Sequence, residues 1–114
     1  MGIKTMYTYQ AHVTKVYDGD TITVDIDLGL NVWVRNEKVR LYGINAPEVR
    51  GKERPKGLLS RDHLRKLVMD KDIIIETIKD KKGKYGRYLG AIMLGKVNIC
   101  QQMVTDGHAI YKEY

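Results

Sequence analysis

The sequence has one cysteine, two prolines and no phenylalanine among its 114 residues. The lone Cys100 cannot form an internal disulfide, which argues against a disulfide-stapled secreted scaffold and excludes zinc sites built from two cysteine pairs. No stretch approaches the roughly 20 apolar residues of a membrane span. Met1–Gln10 also lacks the apolar core of a signal peptide. We therefore expect a protein without membrane segments that is cytoplasmic, with secretion left open.

Hydrophobic residues make up 43% of the chain and charged residues 30%, as in an ordinary globular protein. The length supports one hydrophobic core, so residues 1–114 are predicted to form a single domain. There is no internal repeat, low-complexity tract or Pro/Gly/Ser-rich linker that would divide it.

The net charge of +6 is concentrated in the middle of the sequence. Residues 50–87 contain thirteen Lys/Arg and six Asp/Glu, whereas residues 1–49 contain five and six, and residues 88–114 contain two and two. A basic segment beside an acidic one fits a polyanionic substrate with a cation between them. Taken alone, however, the charge run is better explained by a solvated surface.

Alternation and turn residues predict a mainly β protein. The predicted strands are Tyr7–Val16, Thr21–Leu28, Val32–Val34, Val39–Ile44, Asp72–Ile78 and Tyr88–Leu94. Within the second strand, Ile22, Val24, Ile26 and Leu28 are predicted to share the buried face. The polar residues Asn36-Glu37-Lys38 are predicted to form a turn.

Two helices are predicted. Helical spacing over Leu58–Met69 places Ser60, Leu64, Leu67 and Val68 on one face. A second helix is expected to begin at the N-cap Asn98 and to end before Gly107. With the segments Val32–Val34 and Val39–Ile44 counted together as the third strand, the order is β-β-β-α-β-β-α. This order indicates a five-stranded OB-type Greek-key barrel with two helices. Its second and third strands are expected to form an extended hairpin.

Three segments carry residues suited to chemistry on phosphates. Asp18-Gly19-Asp20-Thr21 offers two carboxylates at a strand start, which suits a hard cation but also an ordinary Asp-Gly turn. Arg40–Glu48 ends a strand near Pro47, so that Arg40, the Ala46 carbonyl and Glu48 could converge; a plain Pro turn is the alternative. Lys84–Arg87 offers two cations and an aromatic ring, or simply a basic hairpin loop.

In this order and spacing, the three segments resemble the staphylococcal nuclease family. The family pattern is a DGDT turn, an R-L-x-x-[IV]-D-[AT]-P-E strand end and a K-Y-G-R loop. The resemblance extends from about Val13 to Tyr111 and includes Val97-Asn98 and Gly107-His108-Ala109. It implies a Ca²⁺-dependent nuclease that cleaves DNA and RNA endo- and exonucleolytically, leaving 3′-phosphate ends.

The resemblance also implies roles for individual residues. Asp20, Asn45 and the Ala46 carbonyl match the metal ligands, and Asp18 matches a carboxylate beside them. Glu48 matches the general base that activates water. The remaining matches are Arg40 and Arg87, which neutralise the phosphodiester, and Lys84 and Tyr85, which contact a substrate phosphate. The substrate is expected to be DNA and/or RNA, bound by a monomer.

The main departure from the family pattern is Asn45, which stands where the family has a second calcium-ligating aspartate. An amide oxygen can still ligate Ca²⁺, but the site carries one negative charge fewer, so weaker calcium binding is expected. A second departure is the longer Leu28–Lys38 segment.

Asn45 leaves a second hypothesis open, a catalytically impaired OB-fold module that binds nucleic acid without cutting it. The retention of Asp20, Arg40, Glu48 and Arg87 favours the enzyme. A protein-interaction barrel is a third hypothesis, which would require these four residues to be scattered over the surface.

Overall fold

A computed structural model describes residues 7–78 and 86–112, which form a β-barrel with two helices. The strands are β1 (Tyr7–Asp18), β2 (Thr21–Asp27), β3 (Trp33–Leu41), β4 (Ile44–Asn45), β5 (Asp72–Thr77), β6 (Arg87–Leu94), β7 (Val97–Asn98) and β8 (Ile110–Tyr111). The helices are α1 (Arg54–Val68) and α2 (Ile99–Thr105), and a short 3-10 turn over Gly51–Glu53 precedes α1.

The five longer strands close on themselves. Their order is β3-β2-β1-β5-β6, extended by the short β7, and the additional parallel pairing of β3 with β6 closes the barrel. The two short strands β4 and β8 form a separate antiparallel pair. The mainly β architecture with two helices confirms the predicted OB-type fold, including the hairpin formed by β2 and β3.

The core is formed by the inward side chains of the strands and the apolar face of each helix. In β2, Ile22, Val24 and Ile26 are buried as predicted. Leu28 was wrongly assigned to this face: it is 47% exposed, because β2 ends at Asp27 and the chain turns back at Gly29.

The predicted turn at Asn36-Glu37-Lys38 is also wrong. These residues lie within the continuous strand β3, where the register against β2 shifts between Val24 and Ile26. Asn36 has a φ of 58°, and its N–H donates to Asp25 Oδ1 at 3.0 Å. Asparagine tolerates this left-handed conformation, so the polar residues produce a bulge instead of a strand break.

Helix α1 begins at Arg54, four residues earlier than predicted, and Pro55 lies in its first turn. Proline is tolerated there because backbone nitrogens of the first turn make no hydrogen bond within the helix. Ser60, Leu64 and Val68 form its buried face as predicted. Asn98 caps α2 by accepting a hydrogen bond from Gln101 N at 3.2 Å. Neither helix in the described ranges is long and apolar enough to cross a membrane.

Two glycines allow close approaches that fix the loops at one end of the barrel. A Cβ on Gly57, in α1, would overlap the carbonyl of Glu48 and lie 2.9 Å from Val49 N. A Cβ on Gly19 would overlap Ser60 Oγ and lie 2.7 Å from the Ala46 Cβ. The β4–α1 connection therefore packs directly against α1 and against the β1–β2 turn.

We expect Gly57→Ala to destabilise the domain, although glycine-to-alanine changes inside helices usually stabilise by up to about 1 kcal/mol. The added methyl must displace the Glu48 backbone, and such overpacking costs about 1–3 kcal/mol. Urea unfolding measures the change. Lys56→Ala, an exposed neighbour in the same helix turn, is the control and should change the free energy of unfolding by less than about 0.5 kcal/mol. A Gly57→Ala variant as stable as the wild type would contradict the close packing.

Candidate active site

The side chain of Asp20 lies at the centre of a cluster of polar groups at the end of the barrel. It is 6% exposed and directly follows the β1–β2 turn. Its Oδ2 accepts a hydrogen bond from Ala46 N at 2.8 Å, and its Oδ1 accepts one from Thr21 Oγ1 at 3.3 Å. One carboxylate thus joins the start of β2 to the residue that follows β4.

Arg40 extends from β3 into the same cluster. Its neighbours Val39 and Leu41 are fully buried, so strand alternation turns Arg40 away from the core, as expected from the sequence. Arg40 Nη2 donates to Asn45 Oδ1 at 3.1 Å and lies 3.4 Å from Asp20 Oδ2. Arg40 Nη1 donates to the Leu41 carbonyl at 2.9 Å. The guanidinium is therefore held in one orientation between a carboxylate and an amide oxygen.

Asp18 is the second carboxylate of the cluster and is buried. Its Oδ1 accepts a hydrogen bond from Asp20 N at 3.0 Å. Burial raises the pKa of Asp18 to about 7, helped by the hydrogen bond and the charge of the Asp20 side chain and by the charge of Glu48. Burial and the neighbouring Asp20 carboxylate therefore both disfavour the ionised form of Asp18.

Arg87 and Glu48 line one cleft beside this cluster. The cleft has a volume of about 1200 Å³, and Thr21 is also in its wall. Arg87 begins β6, whose parallel pairing with β3 places it opposite Lys38. Its Nη1 donates to Thr21 Oγ1 at 3.3 Å, and Thr21 in turn donates to Asp20. Arg87 is therefore linked to the carboxylate through one hydroxyl.

The structure brings most of the sequence-predicted site residues together. Asp18, Asp20, Arg40, Asn45 and Ala46 are joined by direct contacts. Lys84 and Tyr85 lie outside the described residues. Sequence reasoning assigned no role to Thr21, although Thr21 belongs to the DGDT motif, and it assigned none to Gly57.

The arrangement combines groups that handle an anionic substrate. Three of the clustered oxygen donors, Asp18, Asp20 and Ala46, are buried, and Asn45 is exposed. Two guanidiniums flank the cluster, and the exposed carboxylate of Glu48 lies in the adjoining cleft. Guanidiniums bind phosphate oxygens in a bidentate manner, and a carboxylate can accept a proton from water.

The raised pKa of Asp18 makes stability depend on pH. An Asp in the unfolded chain titrates near 3.8, whereas folded Asp18 titrates near 7. Between these values the folded domain binds more protons than the unfolded chain, so the free energy of unfolding falls as pH rises from about 4 to about 7. A hydrogen bond from the Asn36 backbone lowers the pKa of Asp25, and one from His63 lowers the pKa of Asp106. These two groups change the free energy of unfolding only at pH values below this window.

We expect Asp18→Asn to remove this dependence, because an asparagine oxygen can still accept from Asp20 N without ionising. With chelator present, the free energy of unfolding of the variant should rise relative to that of the wild type between pH 4 and pH 8. The difference should reach on the order of 1–2 kcal/mol, which is less than the full pKa shift would give because solvent screens the group. Urea unfolding across this range measures it, and the difference between the two proteins cancels the histidine contributions. A constant difference across the range would contradict the raised pKa.

Comparisons with known proteins identify the family of this chain. The family model of the staphylococcal nuclease homologues matches residues 38–114. Thermonucleases of Staphylococcus hyicus and Staphylococcus intermedius are each 30% identical over 105 residues, covering 90% of this chain and 59% of theirs. A probable staphylococcal-like nuclease of Oryza sativa subsp. japonica is 36% identical over 78 residues, covering 68% of this chain and 19% of its own length.

The chain thus spans 59% of the length of the staphylococcal relatives it matches. The match of the family model, over residues 38–114, takes in Arg40, Asn45, Glu48 and Arg87. This chain belongs to the staphylococcal nuclease family.

Proposed function

We propose that this protein is a calcium-dependent nuclease that hydrolyses phosphodiester bonds in DNA and/or RNA with little sequence specificity. The observation that supports it most is a continuous set of contacts beside a cleft that also contains Glu48. Hydrogen bonds join Arg87 to Thr21 and Thr21 to Asp20, and an ion pair joins Asp20 to Arg40. The three named nuclease relatives support the same reaction class.

Glu48 is proposed as the general base. Its side chain is exposed, so a water molecule and a substrate phosphate can both reach it. Its backbone is held against Gly57 of α1, which fixes the start of the side chain relative to the barrel. A carboxylate so placed can take a proton from the attacking water and release it to solvent afterwards.

Arg40 and Arg87 are proposed to neutralise the charge that builds on the phosphate oxygens. Both stay ionised at every relevant pH and present several N–H groups in one plane. Their hydrogen bonds to Asn45 and Thr21 orient the two side chains. Such preorganised donors stabilise a transition state without having to reorganise.

The oxygen donors fit Ca²⁺ in kind. Asp20 Oδ2 and Asn45 Oδ1 both contact the same nitrogen of Arg40, so the two oxygens lie close together, and a Ca²⁺ ion held by both would take the place of this guanidinium contact. The Ala46 carbonyl and the Asp18 carboxylate are the other proposed donors. The described residues contain no group of three or more His, Cys, Asp or Glu that could hold a metal, because two of these four donors are an amide and a backbone carbonyl. A bound hard cation polarises a phosphoryl oxygen.

Little sequence specificity is expected, because these groups recognise the phosphate and not the bases. Lys84 and Tyr85 remain proposed contacts of a substrate phosphate, and the protein is proposed to act as a monomer.

Catalytically impaired nucleic-acid binding is the second candidate function, and Asn45 is the observation that favours it. With an amide in place of a carboxylate, Asp18 and Asp20 are the only side chains of the proposed ligand set that can carry negative charge. Such a site would still bind nucleic acid through its arginines.

We expect Glu48→Gln to lower the rate of single-stranded DNA cleavage in saturating calcium by about 10²–10⁴-fold, because the amide cannot accept the proton of water. Glu53→Gln, an exposed residue just before α1, is the control with the same chemical change and should retain wild-type activity. Gel-based digestion with and without chelator measures both. If the wild type binds DNA in a salt-sensitive way but cuts none at any calcium concentration, the binding module replaces the enzyme.

We expect Asn45→Asp to lower the calcium concentration at half-maximal activity by about tenfold, because calcium affinity rises with the number of charged ligands. The new carboxylate will also pair with Arg40 in the metal-free protein, which offsets part of the gain. Calcium titration of the digestion rate measures the midpoint. Asn31→Asp, an exposed residue in the β2–β3 turn, is the matched control. Equal midpoints for all three proteins would contradict a role of Asn45 in holding calcium.

A further inference from the structure

The cleft beside the site is strongly basic. Glu48 is the only acidic residue among the described residues that line it. Besides Arg87, the basic side chains in its wall are Lys15, Lys38, Arg50, Arg54, Arg61 and Arg65. A concave surface with seven cations and one anion concentrates a polyanion at its floor.

Helix α1 contributes one complete face to this wall. Arg54, Leu58, Arg61, Arg65 and Met69 all line the cleft, and their spacing of three or four residues keeps them on the same side of the helix. The rise from Arg54 to Arg65 is about 16 Å. This length equals roughly the rise of five stacked nucleotides along one strand.

The two ends of this face are fixed to the barrel. Arg54 Nη1 donates to the Val49 carbonyl at 3.0 Å, close to Glu48. Arg65 Nη2 donates to the Val16 carbonyl in β1 at 3.3 Å. The row of arginines therefore runs from the proposed general base toward β1 and does not spread over open solvent.

These guanidiniums retain donors for a ligand. The exposed carboxylate of Asp62 forms ion pairs with both Arg61, at 3.0 Å, and Arg65, at 3.8 Å. The side chains of Arg61 and Arg65 are 26% and 42% exposed. Each guanidinium has five N–H donors, so one shared carboxylate and one carbonyl do not saturate them.

We propose that the α1 face bearing Arg54, Arg61 and Arg65 is a track for the backbone phosphates of a single nucleic-acid strand leading away from the scissile bond. Tyr17, which also lines the cleft, is 50% exposed and offers its ring to a base. An unpaired base can stack on such a ring whereas a paired base cannot, which favours a single strand over a duplex. This inference rests on the proposed nucleic-acid substrate, and it adds where a long nucleic-acid strand binds beyond the scissile bond.

The same helix provides a matched control for charge. Lys56 and Lys66 are exposed residues of α1 outside the cleft wall. The double variants Arg61→Ala/Arg65→Ala and Lys56→Ala/Lys66→Ala remove the same formal charge from the same helix. They differ in whether the lost charge lined the cleft, and thermal unfolding verifies that both variants are folded.

The test is binding of a fluorescein-labelled 12-nucleotide single strand, in chelator to prevent cutting, at several salt concentrations. Loss of two phosphate contacts should reduce the slope of log K against log salt by about 1.4 for the arginine variant. Affinity near 0.1 M salt should fall on the order of 10-fold. The lysine variant should keep the slope of the wild type.

A cleavage assay then separates the track from the catalytic centre. The increase in KM of the arginine variant should be larger for a long strand than for a substrate with a single phosphodiester bond, and the lysine variant should keep the wild-type KM for both. An equal slope change in both double variants, or no change in either, would overturn the track. Because the binding assay requires no cutting, an inactive wild type with the expected slopes would refute the nuclease and leave the track standing.

Discussion

The hydrogen bond from Ala46 N to Asp20 Oδ2 is the contact on which the site depends. It joins two segments 26 residues apart and lies inside the domain, away from competing water. A buried carboxylate is costly unless it is hydrogen-bonded, and Asp20 has Ala46, Thr21 and Arg40 as partners. The same carboxylate therefore positions the Asn45–Glu48 segment, orients Arg40 and, through Thr21, orients Arg87. Losing it would disturb every group of the site together.

Much of the fold was predictable from local patterns. The alternation of Ile22, Val24 and Ile26 and the helical spacing of Ser60, Leu64 and Val68 each reflect one buried face, so sequence alone identifies them. The bulge at Asn36 was not predictable, because a polar Asn-Glu-Lys segment suits a turn and a bulge equally well. Whether a turn or a bulge forms depends on a hydrogen-bond acceptor in the neighbouring strand, which here is the Asp25 carboxylate.

The candidate site likewise contains residues that were predictable from the sequence and residues that were not. Motif order predicted that Asp20, Arg40, Glu48 and Arg87 belong to one site, since each motif contributes residues at fixed spacing. Gly57 could not be identified in this way, because its importance comes from the Glu48 carbonyl that packs against it from another segment. The arginines of α1 appeared in the sequence only as part of a charge run. It is the packing of α1 against β1 that turns one helical face into the wall of a cleft.

Burial gives the two sets of arginines different physical properties. Arg40 has a side chain 13% exposed beside an 8% exposed carboxylate, so added salt screens this pair weakly. Arg61 and Arg65 face the open cleft, where charges more than about 10 Å apart are screened at 0.1 M salt. Orientation at the reacting phosphate should therefore be nearly independent of salt, whereas retention of a long strand should weaken as salt rises. In the proposed nuclease, the geometry at the phosphate would therefore stay constant while binding of the polymer remains reversible.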